Sequence, residues 1–450
     1  MTRTATRRGE RDASRSVPGP PGAPRLLLGL ESAARPIALS EHLATWGPLH
    51  VNGRRDLCDQ VEASGLVGHG GAWFPVATKW RAVAGRGRRP VVVANGAEGE
   101  PASAKDALLL SRAPHLVLDG AAAAAVATGA KRAVVYTGAH SAATVQTALD
   151  ERRWAGIDPV AIEVAIAPDA FLAGQESAVV GVLNGRGDPA PSFSAVQSIR
   201  DRGVGGRPTL VQNVETLAHV GLIARFGAAW FRSVGGADCP GTMLLTVTGR
   251  WPEPSVVEAP LGSPLRDAIH LTPADAAHYQ GALLGGYGGT WVTMDTLLGL
   301  SLSESAARRA HATLGAGVVA LLPRHVCPVA EVARVVAYMR TQGAGQCGPC
   351  VHGLAALAGQ LGALAHGAPL RGRPRQVEEI LEVCALVEGR GACRHPDGVA
   401  RFVRSACSVF AADLSAHLRG VPCTPSPVAG TLPLPAHGGR RRASAPGARR

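Results

Sequence analysis

The sequence predicts an α/β domain followed by a small strand-rich region and a helical C-terminal region. The first observation is that Ala-rich helical text alternates with short β-branched runs between residues 115 and 166, a spacing typical of βαβ units and a parallel sheet. The second is a change of texture over residues 242–300, where short apolar strands alternate with glycine-rich bends. The third is helical text from residue 329 onward, with connections short enough for antiparallel packing in a bundle.

Individual elements follow from these patterns. In the first region we predict helices over residues 115–128 and 141–154, and strands over residues 132–136 and 162–166. In the second region we predict strands at MLLTVTGRW and around residues 255–257, and a short helix at PLRDAIHL. We predict a strand with a Gly-rich bend at ALLGGYGGTWV, whose glycines mark bulges and not a flavin site. In the third region we predict helices over residues 329–339, 352–364, 377–387 and 398–417.

The chain is long for a single core, so we divide it into segments. We predict a disordered basic tail over residues 1–24, the α/β domain over 25–240, the strand-rich domain over 241–325 and the helical domain over 326–420. Residues 421–450 are rich in proline and arginine, and we expect a second disordered tail there.

Composition narrows the range of functions. The net charge is +12, but many arginines lie in the two tails and aromatic residues make up only 4%, so we expect no nucleic-acid partner. The most apolar run, residues 115–130, is interrupted by Asp119 and glycines and is too short to span a bilayer. No apolar stretch follows the N-terminal arginines, so we expect a cytoplasmic protein whose nine cysteines are thiols or metal ligands.

Two stretches in the first region have the residue types of a ligand site. GLVGHGGAWFPVATKW, residues 65–80, places four glycines within seven positions and a lysine, Lys79, at its far end. Such a loop lets backbone amides approach a phosphate, although glycines alone fit a tight surface turn equally well. PVVVANGAEGEPASAKD, residues 90–106, is a β-branched strand that opens into an acidic loop. Ligands bind at this end of strands in α/β sheets.

Four ordered segments carry a resemblance to a known family. Residues 65–80 resemble GxxGRGGAGFPxxxKW, and residues 95–106 resemble NADEGEPGxxKD, of the flavin-binding subunit of respiratory NADH-quinone oxidoreductase (complex I). GQESAVVGVL at 174–183 resembles the family's GEETALLxxL, and GRPTLVQNVETLAHV at 206–220 resembles xxPTxVNNVETLANV. The same module occurs in related soluble hydrogenases and formate dehydrogenases. The resemblance implies a Rossmann-like FMN-binding domain, a ubiquitin-like β-grasp domain of the SLBB type, and a helical iron-sulfur domain.

The resemblance also implies a site for FMN and a site for NAD(P)H. Glycine amides and Lys79 would hold the FMN phosphate, and amide side chains would satisfy the polar edge of the ring. Phe74 and Phe193 match aromatics that stack the adenine, and Glu100 matches an acidic residue that binds the nucleotide. The full set of matched cofactor-binding positions is Gly68, Gly70, Gly71, Phe74, Lys79, Asn95, Glu98, Glu100, Gly174, Glu176, Phe193, Gln212 and Asn213.

Several positions depart from the family pattern. Trp73 stands at a family glycine, Ala97 at an acidic residue, Gln175 at a glutamate and Ala173 at a cysteine. The family's lysine ahead of the second aromatic falls near Ala190 and is missing. The indole of Trp73 would either narrow the nucleotide cleft or replace a stacking partner.

The cysteines predict an iron-sulfur site. Cys347 and Cys350 lie three apart, a spacing suited to one edge of a cluster, and Cys393 lies downstream in EGRGACRHPDG. The family pattern SCGxCxPCR with a later EGxxxC binds a 4Fe-4S cluster, and these cysteines match its second, third and fourth ligands, while Ala344 stands at the first. The alternatives are a ligand from Cys327, Cys384, Cys407, His352 or a non-protein group, a 3Fe-4S form, zinc, or free buried thiols.

The expected function is therefore that of an NADH-dehydrogenase-type flavoprotein. Hydride passes from NAD(P)H to FMN, and single electrons pass to the cluster and on to a protein acceptor such as a ferredoxin-like protein. A rival of another class is a degenerate scaffold that keeps the fold for protein contacts and has lost turnover. Trp73 and Ala344 are the features that bear on this choice.

Overall fold

The computed structural model describes residues 22, 24–30, 35–51, 53–86, 88–192, 198–366, 375–421, 423 and 430–435. Most of the two tails predicted to be disordered therefore lies outside the described residues, as does Phe193. Within the described part of the chain the fold is mixed α/β, with one parallel sheet and one mixed sheet. The predicted α/β class is thus confirmed, and the domain boundaries remain predictions.

The first region is an α/β unit whose layers follow the alternation in the sequence. The helices and strands predicted over residues 115–166 are confirmed, each within two residues of its predicted ends. Two helices precede the glycine-rich loop, where the residue pattern supports no prediction. The elements are α1 (Leu39–Trp46), α2 (Arg54–Ser64), α3 (Val76–Ala84), β1 (Val91–Gly96), α4 (Lys105–Arg112), α5 (Pro114–Thr128), β2 (Arg132–Thr137), α6 (Ala139–Ala155), β3 (Ala161–Ile166), α7 (Glu176–Leu183), β4 (Thr209–Asn213) and α8 (Val214–Phe231).

The four strands of this unit form a parallel sheet in the order β3-β2-β1-β4. The chain adds β2 and β3 on one side of β1 and then places β4 on the other side. Strand order therefore reverses between β1 and β4, where a crevice opens at the carboxyl ends of the strands. The register aligns Asn95 at the end of β1 with Asn213 at the end of β4. The topology thus predicts a ligand site beside these two asparagines.

Close packing of α5 on α8 forms the core beneath the sheet. All but one of the residues of α5 are buried, and most of them are small or apolar. A Cβ atom at Gly120 would lie 1.7 Å from the carbonyl oxygen of Leu217, so only glycine permits this approach. The Ala-rich composition of α5 therefore reflects close helix packing.

The second region contains a five-stranded mixed sheet in the order β6-β5-β9-β7-β8. Its strands β5 and β9 run parallel, and the remaining neighbours run antiparallel. The predicted strands at MLLTVTGRW and around residues 255–257 and the predicted short helix are present. ALLGGYGGTWV is two antiparallel strands and not one, because its glycines form the turn between them, with positive φ at Gly285 and Gly286, and do not mark bulges. The elements are β5 (Thr242–Thr248), β6 (Ser255–Pro260), α9 (Leu265–His270), β7 (Tyr279–Leu284), β8 (Thr290–Thr293), α10 (Met294–Gly299), α11 (Glu304–Arg309) and β9 (Val318–Pro323).

The C-terminal region is helical, as predicted, with two differences. The helix predicted over residues 398–417 is two helices, because the backbone breaks at Phe410, whose ring packs 5.1 Å from the ring of Trp291. A π-helical turn, Pro349–Gly353, precedes α13. The elements are α12 (Pro328–Gln342), α13 (Leu354–Ala365), α14 (Gln376–Val387), α15 (His395–Val409) and α16 (Ala411–Leu418). Among the described helices, none is both long enough and apolar enough to cross a bilayer.

One part of the predicted C-terminal tail is ordered. Residues 430–435 lie against α12, with Leu432 buried in the core of the helical region. The Leu432 amide donates to Glu331 Oε1 at 2.6 Å, and the Tyr287 hydroxyl donates to the Pro433 carbonyl. The prediction of an unstructured tail is therefore wrong for this segment, because Leu432 and Leu434 pack on the helical core and the buried Glu331 carboxylate accepts a backbone hydrogen bond.

Candidate functional site

A cavity of about 470 Å³ opens at the carboxyl ends of β1 and β4, beneath the glycine-rich loop. Its position is the switch point that the strand order defines. Nine of the thirteen matched cofactor positions line it. The lining residues are Gly68, Gly70, Ala72, Trp73, Phe74, Lys79, Asn95, Gly174, Glu176, Ser198, Ile199, Arg200, Val211, Gln212 and Asn213.

The glycine-rich loop forms one wall of the cavity. A hydrogen bond from the Gly68 amide to the Phe74 carbonyl, 2.9 Å long, joins the two sides of the loop. Gly71 has a φ of 101°, a conformation that favours glycine. The amides of Gly70 and Gly71 make no hydrogen bond to any described residue. Free amides on a loop of this kind suit an anion such as a phosphate.

Lys79 and Glu176 form a charged pair at the cavity. The Lys79 ammonium donates to a Glu176 carboxylate oxygen and to the Val211 carbonyl, the latter at 2.6 Å. Lys79 comes from α3, and Glu176 is the first residue of α7. The pair supplies a cation for a phosphate and a carboxylate acceptor on the same wall.

Amide side chains line the sheet side of the cavity. The Asn95 Nδ2 donates to the Gly174 carbonyl at 2.8 Å, which ties β1 to the turn before α7. Gln212 is buried, and its Oε1 atom accepts no hydrogen bond from a described residue. A buried acceptor without a donor costs free energy, so this atom indicates a ligand with an N–H or O–H group. The polar edge of a flavin ring fits that requirement.

Of the glycines that line the cavity, Gly174 has the least room for a side chain. A Cβ atom there would lie 2.8 Å from the Ala97 carbonyl oxygen, closer than side chains normally approach. Gly174 ends a short 3-10 turn, Phe171–Gly174, and lines the cavity. The glycine therefore lets two backbone segments meet at the cavity wall.

Three matched positions within the described residues do not line the cavity. Gly71 is part of the loop, but it faces Gly315: a Cβ atom at Gly71 would lie 3.7 Å from the Gly315 carbonyl carbon. Glu98 accepts from the amides of Asp106 and Ala107 at 3.0 and 2.9 Å, so it caps α4. Glu100 accepts from the Tyr287 amide at 2.8 Å, on the glycine bend between β7 and β8. The cofactor contacts predicted for these residues remain predictions.

Burial raises the pKa of Glu100 to about 7, although hydrogen bonds from the Tyr287 and Ala102 amides oppose the shift. The folded protein then holds a proton that the unfolded chain releases near the ordinary carboxyl pKa. The contribution of Glu100 to stability is full below the unfolded pKa and is lost as pH rises through about 7. We expect urea unfolding of Glu100→Gln to show a shallower decline of stability across this window. An unchanged pH slope would contradict the prediction.

Trp73 stands where the family has glycine, and its backbone adopts a conformation that glycine accommodates more easily than other residues. Its φ is 54°, in the left-handed region. The indole Nε1 donates to the Gly315 carbonyl at 3.0 Å, and the ring stacks on His69 at 5.8 Å. Trp73 therefore ties the loop to the second region and narrows one side of the cavity.

A buried charge network lies under the loop. Glu215 accepts from Lys105 at 2.8 Å, and its other oxygen lies 2.6 Å from His69 Nδ1. Lys105 also pairs with Asp106 at 2.7 Å, and Asn213 donates to Asp106 at the same distance. Burial opposes ionisation of Glu215, but Lys105 and His69 lower its pKa well below the usual range. The network fixes the loop, α4 and α8 relative to one another.

The structure brings the three predicted cluster cysteines together. Cys347 and Cys393 lie close enough to Cys350 to affect its ionisation, and Cys347 also affects that of Cys393. Burial, together with Cys347, raises the pKa of Cys350 to about 11. The Gly345 amide donates to the Cys350 sulfur and the His395 amide to the Cys393 sulfur. Amide donors around convergent sulfurs are typical of iron-sulfur sites.

Most of the candidate fourth ligands are engaged elsewhere. Cys407 lies close enough to Cys384 to affect it, and burial raises the pKa of both thiols. Cys327 lies against His417. His352 is exposed on the π-helical turn that contains Cys350. His352 and a non-protein group therefore remain candidates for the fourth cluster ligand, at whose family position Ala344 stands.

Phe171 connects the cavity to the cysteines. It opens the 3-10 turn that ends at Gly174, and its ring lies 5.4 Å from the His395 ring. Its amide donates to Gln342 Oε1 at 3.1 Å. His395 is two residues after Cys393. The turn that ends at the cavity residue Gly174 is therefore in contact, through Phe171, with the start of α15 just after Cys393.

Sequence reasoning missed several residues of the cavity. Ser198, Ile199 and Arg200 line it beside the residues that the structure does not describe, and Arg200 adds a second cation. The only available signal was the basic run IRDRG shortly before β4. That run belongs to none of the four matched segments, and tertiary packing alone brings it to the cavity.

The fold and the site define a class of protein. A parallel sheet with a phosphate-type cradle at its switch point, next to convergent thiols, is the architecture of an electron-transferring oxidoreductase with a nucleotide cofactor. Residues 61–222 match the Nuo51 FMN-binding domain, and residues 330–417 match the iron-sulfur binding region of NADH-ubiquinone oxidoreductase-F. The chain belongs to the family of flavin-binding subunits of NADH-quinone oxidoreductase.

Relatives in sequence and structure agree with this assignment. The F subunit of NADH-quinone oxidoreductase from Mycobacterium bovis is 30% identical over 389 residues, which cover 82% of this chain and 86% of the relative. Its counterpart from Streptomyces coelicolor is 28% identical, covering 84% and 86%. A chain of an NAD+-reducing NiFe hydrogenase in the air-oxidised state matches with a TM-score of 0.76 and 27% identity, over 88% of this chain and 67% of that one.

These findings confirm the predicted family and the class of enzyme. The chain is an NADH-type oxidoreductase, and its cofactors are FMN and an iron-sulfur cluster. Electrons move from NADH through FMN to that cluster. The individual site residues remain predictions.

Proposed function

We propose that this chain delivers electrons from NADH to a small, acidic, ferredoxin-like protein. The observation that carries the proposal is the contact between the cavity wall and the cysteine site through Phe171 and His395. This contact gives a short route from the nucleotide cavity to a cluster near the surface. The names of the relatives, which are subunits of larger oxidoreductases, support a protein acceptor.

The residues of the cavity fit FMN. The free amide of Gly70, with Lys79, would hold its phosphate, and Gln212 Oε1 would receive a hydrogen bond from the ring. Asn95 fixes the wall through the Gly174 carbonyl. When bound here, FMN would supply the chemistry that takes up a hydride and passes on single electrons. The protein positions the two rings and excludes water, so it needs no acid or base for this step.

Phe74 is suited to hold the nicotinamide nucleotide. It lines the cavity and is 49% exposed, so its ring is available for stacking. Arg200 lies on the same cavity and would pair with a nucleotide phosphate. The second predicted aromatic, Phe193, lies outside the described residues.

Cys347, Cys350 and Cys393 would hold the cluster, with the amides of Gly345 and His395 donating to the sulfurs. Three cysteines suit a 4Fe-4S cluster with a non-cysteine fourth ligand, or a 3Fe-4S cluster. Iron and sulfide analysis with EPR of the anaerobic protein distinguishes the two.

The surface around Cys393 favours an acidic partner. Arg390 and Arg394 flank the cysteine, and both are exposed, with the Arg394 side chain 92% exposed. Cations at the exit of a cluster steer a negatively charged acceptor toward it. The proposed partner therefore has an acidic face.

We expect Arg390→Glu with Arg394→Glu to slow reduction of an acidic ferredoxin about 10-fold at low ionic strength, because steering is lost. Stopped-flow spectroscopy measures the rate, and the difference should fade at high salt. Arg153→Glu with Arg266→Glu is the matched control, since it changes the net charge equally at exposed sites on other helices. An equal loss in both double variants would contradict a local docking site.

The reconstituted protein tests the function as a whole. NADH should reduce both a dye and the ferredoxin, the dye rate being insensitive to the two arginines. A protein that stays colourless after supplementation with FMN, iron and sulfide would contradict the enzyme and favour the scaffold. A protein that reduces the dye but no ferredoxin would contradict the proposed acceptor and leave the NADH oxidoreductase activity intact.

A further inference from the structure

A second group of metal-binding side chains lies away from the iron site, where the chain leaves α16. Cys327 Sγ is 3.3 Å from His417 Nε2, Cys423 Sγ is 3.1 Å from the same nitrogen, and the two sulfurs are 3.1 Å apart. Cys327 precedes α12, His417 lies in the last turn of α16, and Cys423 follows that helix. Residues distant in sequence therefore converge on one point.

The surroundings orient these groups as ligands. His417 Nδ1 lies 3.1 Å from the Leu364 carbonyl, which can only accept, so Nδ1 carries the proton and Nε2 presents a lone pair. This arrangement is typical of a metal-bound histidine. The Ala330 amide donates to Cys327 Sγ at 3.3 Å. Cys327 is also the N-cap residue of α12, which fixes the position of its sulfur.

We propose that Cys327, His417 and Cys423 bind a zinc ion, with water as the fourth ligand. Two thiolates and one neutral imidazole are common zinc ligands, and the two thiolates balance the charge of the ion. Binding releases the two thiol protons to solvent, without oxidation or reduction. His417 and Cys423 are half-buried, so water reaches the open position.

The spacing of the donors favours a single ion. Zinc bonds of roughly 2.0 to 2.3 Å place the corners of a tetrahedron about 3.5 Å apart, close to the spacing found here. A disulfide between Cys327 and Cys423 would leave unexplained why His417 Nε2 faces both sulfurs. The site also accounts for Cys327, which therefore ceases to be a candidate fourth ligand for the iron-sulfur cluster.

The proposed ion would fasten the C-terminal segment to the helical region. Cys423 attaches the chain just after α16, and Leu432 attaches it again on α12. Loss of the ion therefore frees the chain after α16 without directly affecting the cavity. This separation makes the site testable in the working enzyme.

The test uses the full chain with FMN and iron-sulfur cluster in place, so that the cluster cysteines are occupied. Metal analysis should find about one zinc per chain in addition to iron, and Cys423→Ser and His417→Ala should each lower zinc affinity at least about 10-fold. Cys239→Ser is the matched control, because Cys239 is a half-buried free thiol elsewhere. Cobalt in place of zinc should give the absorption of a tetrahedral site with sulfur ligands. Chelation should speed proteolysis after residue 418 while flavin and iron content stay constant.

Three results would overturn the proposal. The first is a cluster-loaded protein that retains no zinc at equilibrium with the free ion. The second is equal zinc affinity in Cys423→Ser and in the wild type. The third is an intact mass lower by two hydrogens with Cys327 and Cys423 in one cross-linked peptide, which would show a disulfide. Retained flavin and iron in the variants exclude misfolding as the reason for lost zinc.

Discussion

Gly174→Ala is expected to weaken FMN binding about 10- to 100-fold. The added Cβ atom meets the Ala97 carbonyl oxygen at 2.8 Å, and both groups belong to backbone segments that cannot move freely. Overpacking of this kind costs about 1 to 3 kcal/mol, which converts to the stated loss of affinity. The displaced turn also weakens the hydrogen bond from Asn95 to the Gly174 carbonyl. Fluorescence titration of the apoprotein with FMN measures the effect.

Gly187→Ala is the control for this prediction. Gly187 lies in the loop after α7, and a Cβ atom there meets no atom within 4 Å. The two variants therefore make the same chemical change with and without crowding. FMN affinity equal to that of the wild type in Gly174→Ala would show that the flavin does not use this wall.

Lys105→Met and Glu215→Gln are each expected to lower the free energy of unfolding by about 3 to 5 kcal/mol. Each change leaves a buried charge without one of its partners, since Lys105 and Glu215 pair at 2.8 Å with side chains no more than 1% exposed. The double variant should cost less than the sum of the two, because the interaction is then absent on both sides. Urea unfolding of the three variants gives the coupling energy.

The exposed pair Arg35 and Glu41 provides the comparison. Its atoms approach to 2.6 Å, but both side chains are about half exposed or more, so its removal should leave the free energy of unfolding almost unchanged. The pKa of Glu215 is lowered, so its contribution to stability is present above the unfolded carboxyl pKa and is lost as pH falls through the folded value.

Additive effects of Lys105→Met and Glu215→Gln on the free energy of unfolding would contradict a coupled network.

Patterns that depend on local periodicity were predictable from the sequence. The helices and strands over residues 115–166 follow from apolar spacing, and the three cysteines predicted to bind the cluster were chosen from their spacing and the family motif. Trp73 is instructive, because its φ of 54° gives the physical reason for a glycine at that position of the family. At Trp73 the family pattern therefore reports a local property, the backbone conformation of a single residue.

Features that depend on distant packing were not predictable. Glu98 accepts from the amides at the start of α4, a contact that depends on where the loop folds back, while its predicted flavin contact remains a prediction. Arg200 lies at the cavity and Leu432 in the core through contacts with residues far away in sequence. Cys423 belongs to a cluster of ligands only after α12 and α16 bring Cys327 and His417 beside it. No short stretch of the sequence contains both partners of these contacts, so local patterns cannot predict them.

Absorption and EPR spectra of the anaerobically reconstituted protein, recorded before and after NADH, test the central claim most directly. The claim is that FMN in the Gly68–Gly71 cradle passes electrons to a cluster on Cys347, Cys350 and Cys393. We predict that NADH bleaches the flavin band and produces the EPR signal of a reduced cluster, and that Cys393→Ser keeps the bleaching and loses the cluster signal. A flavin that bleaches while an intact cluster stays oxidised would contradict the account.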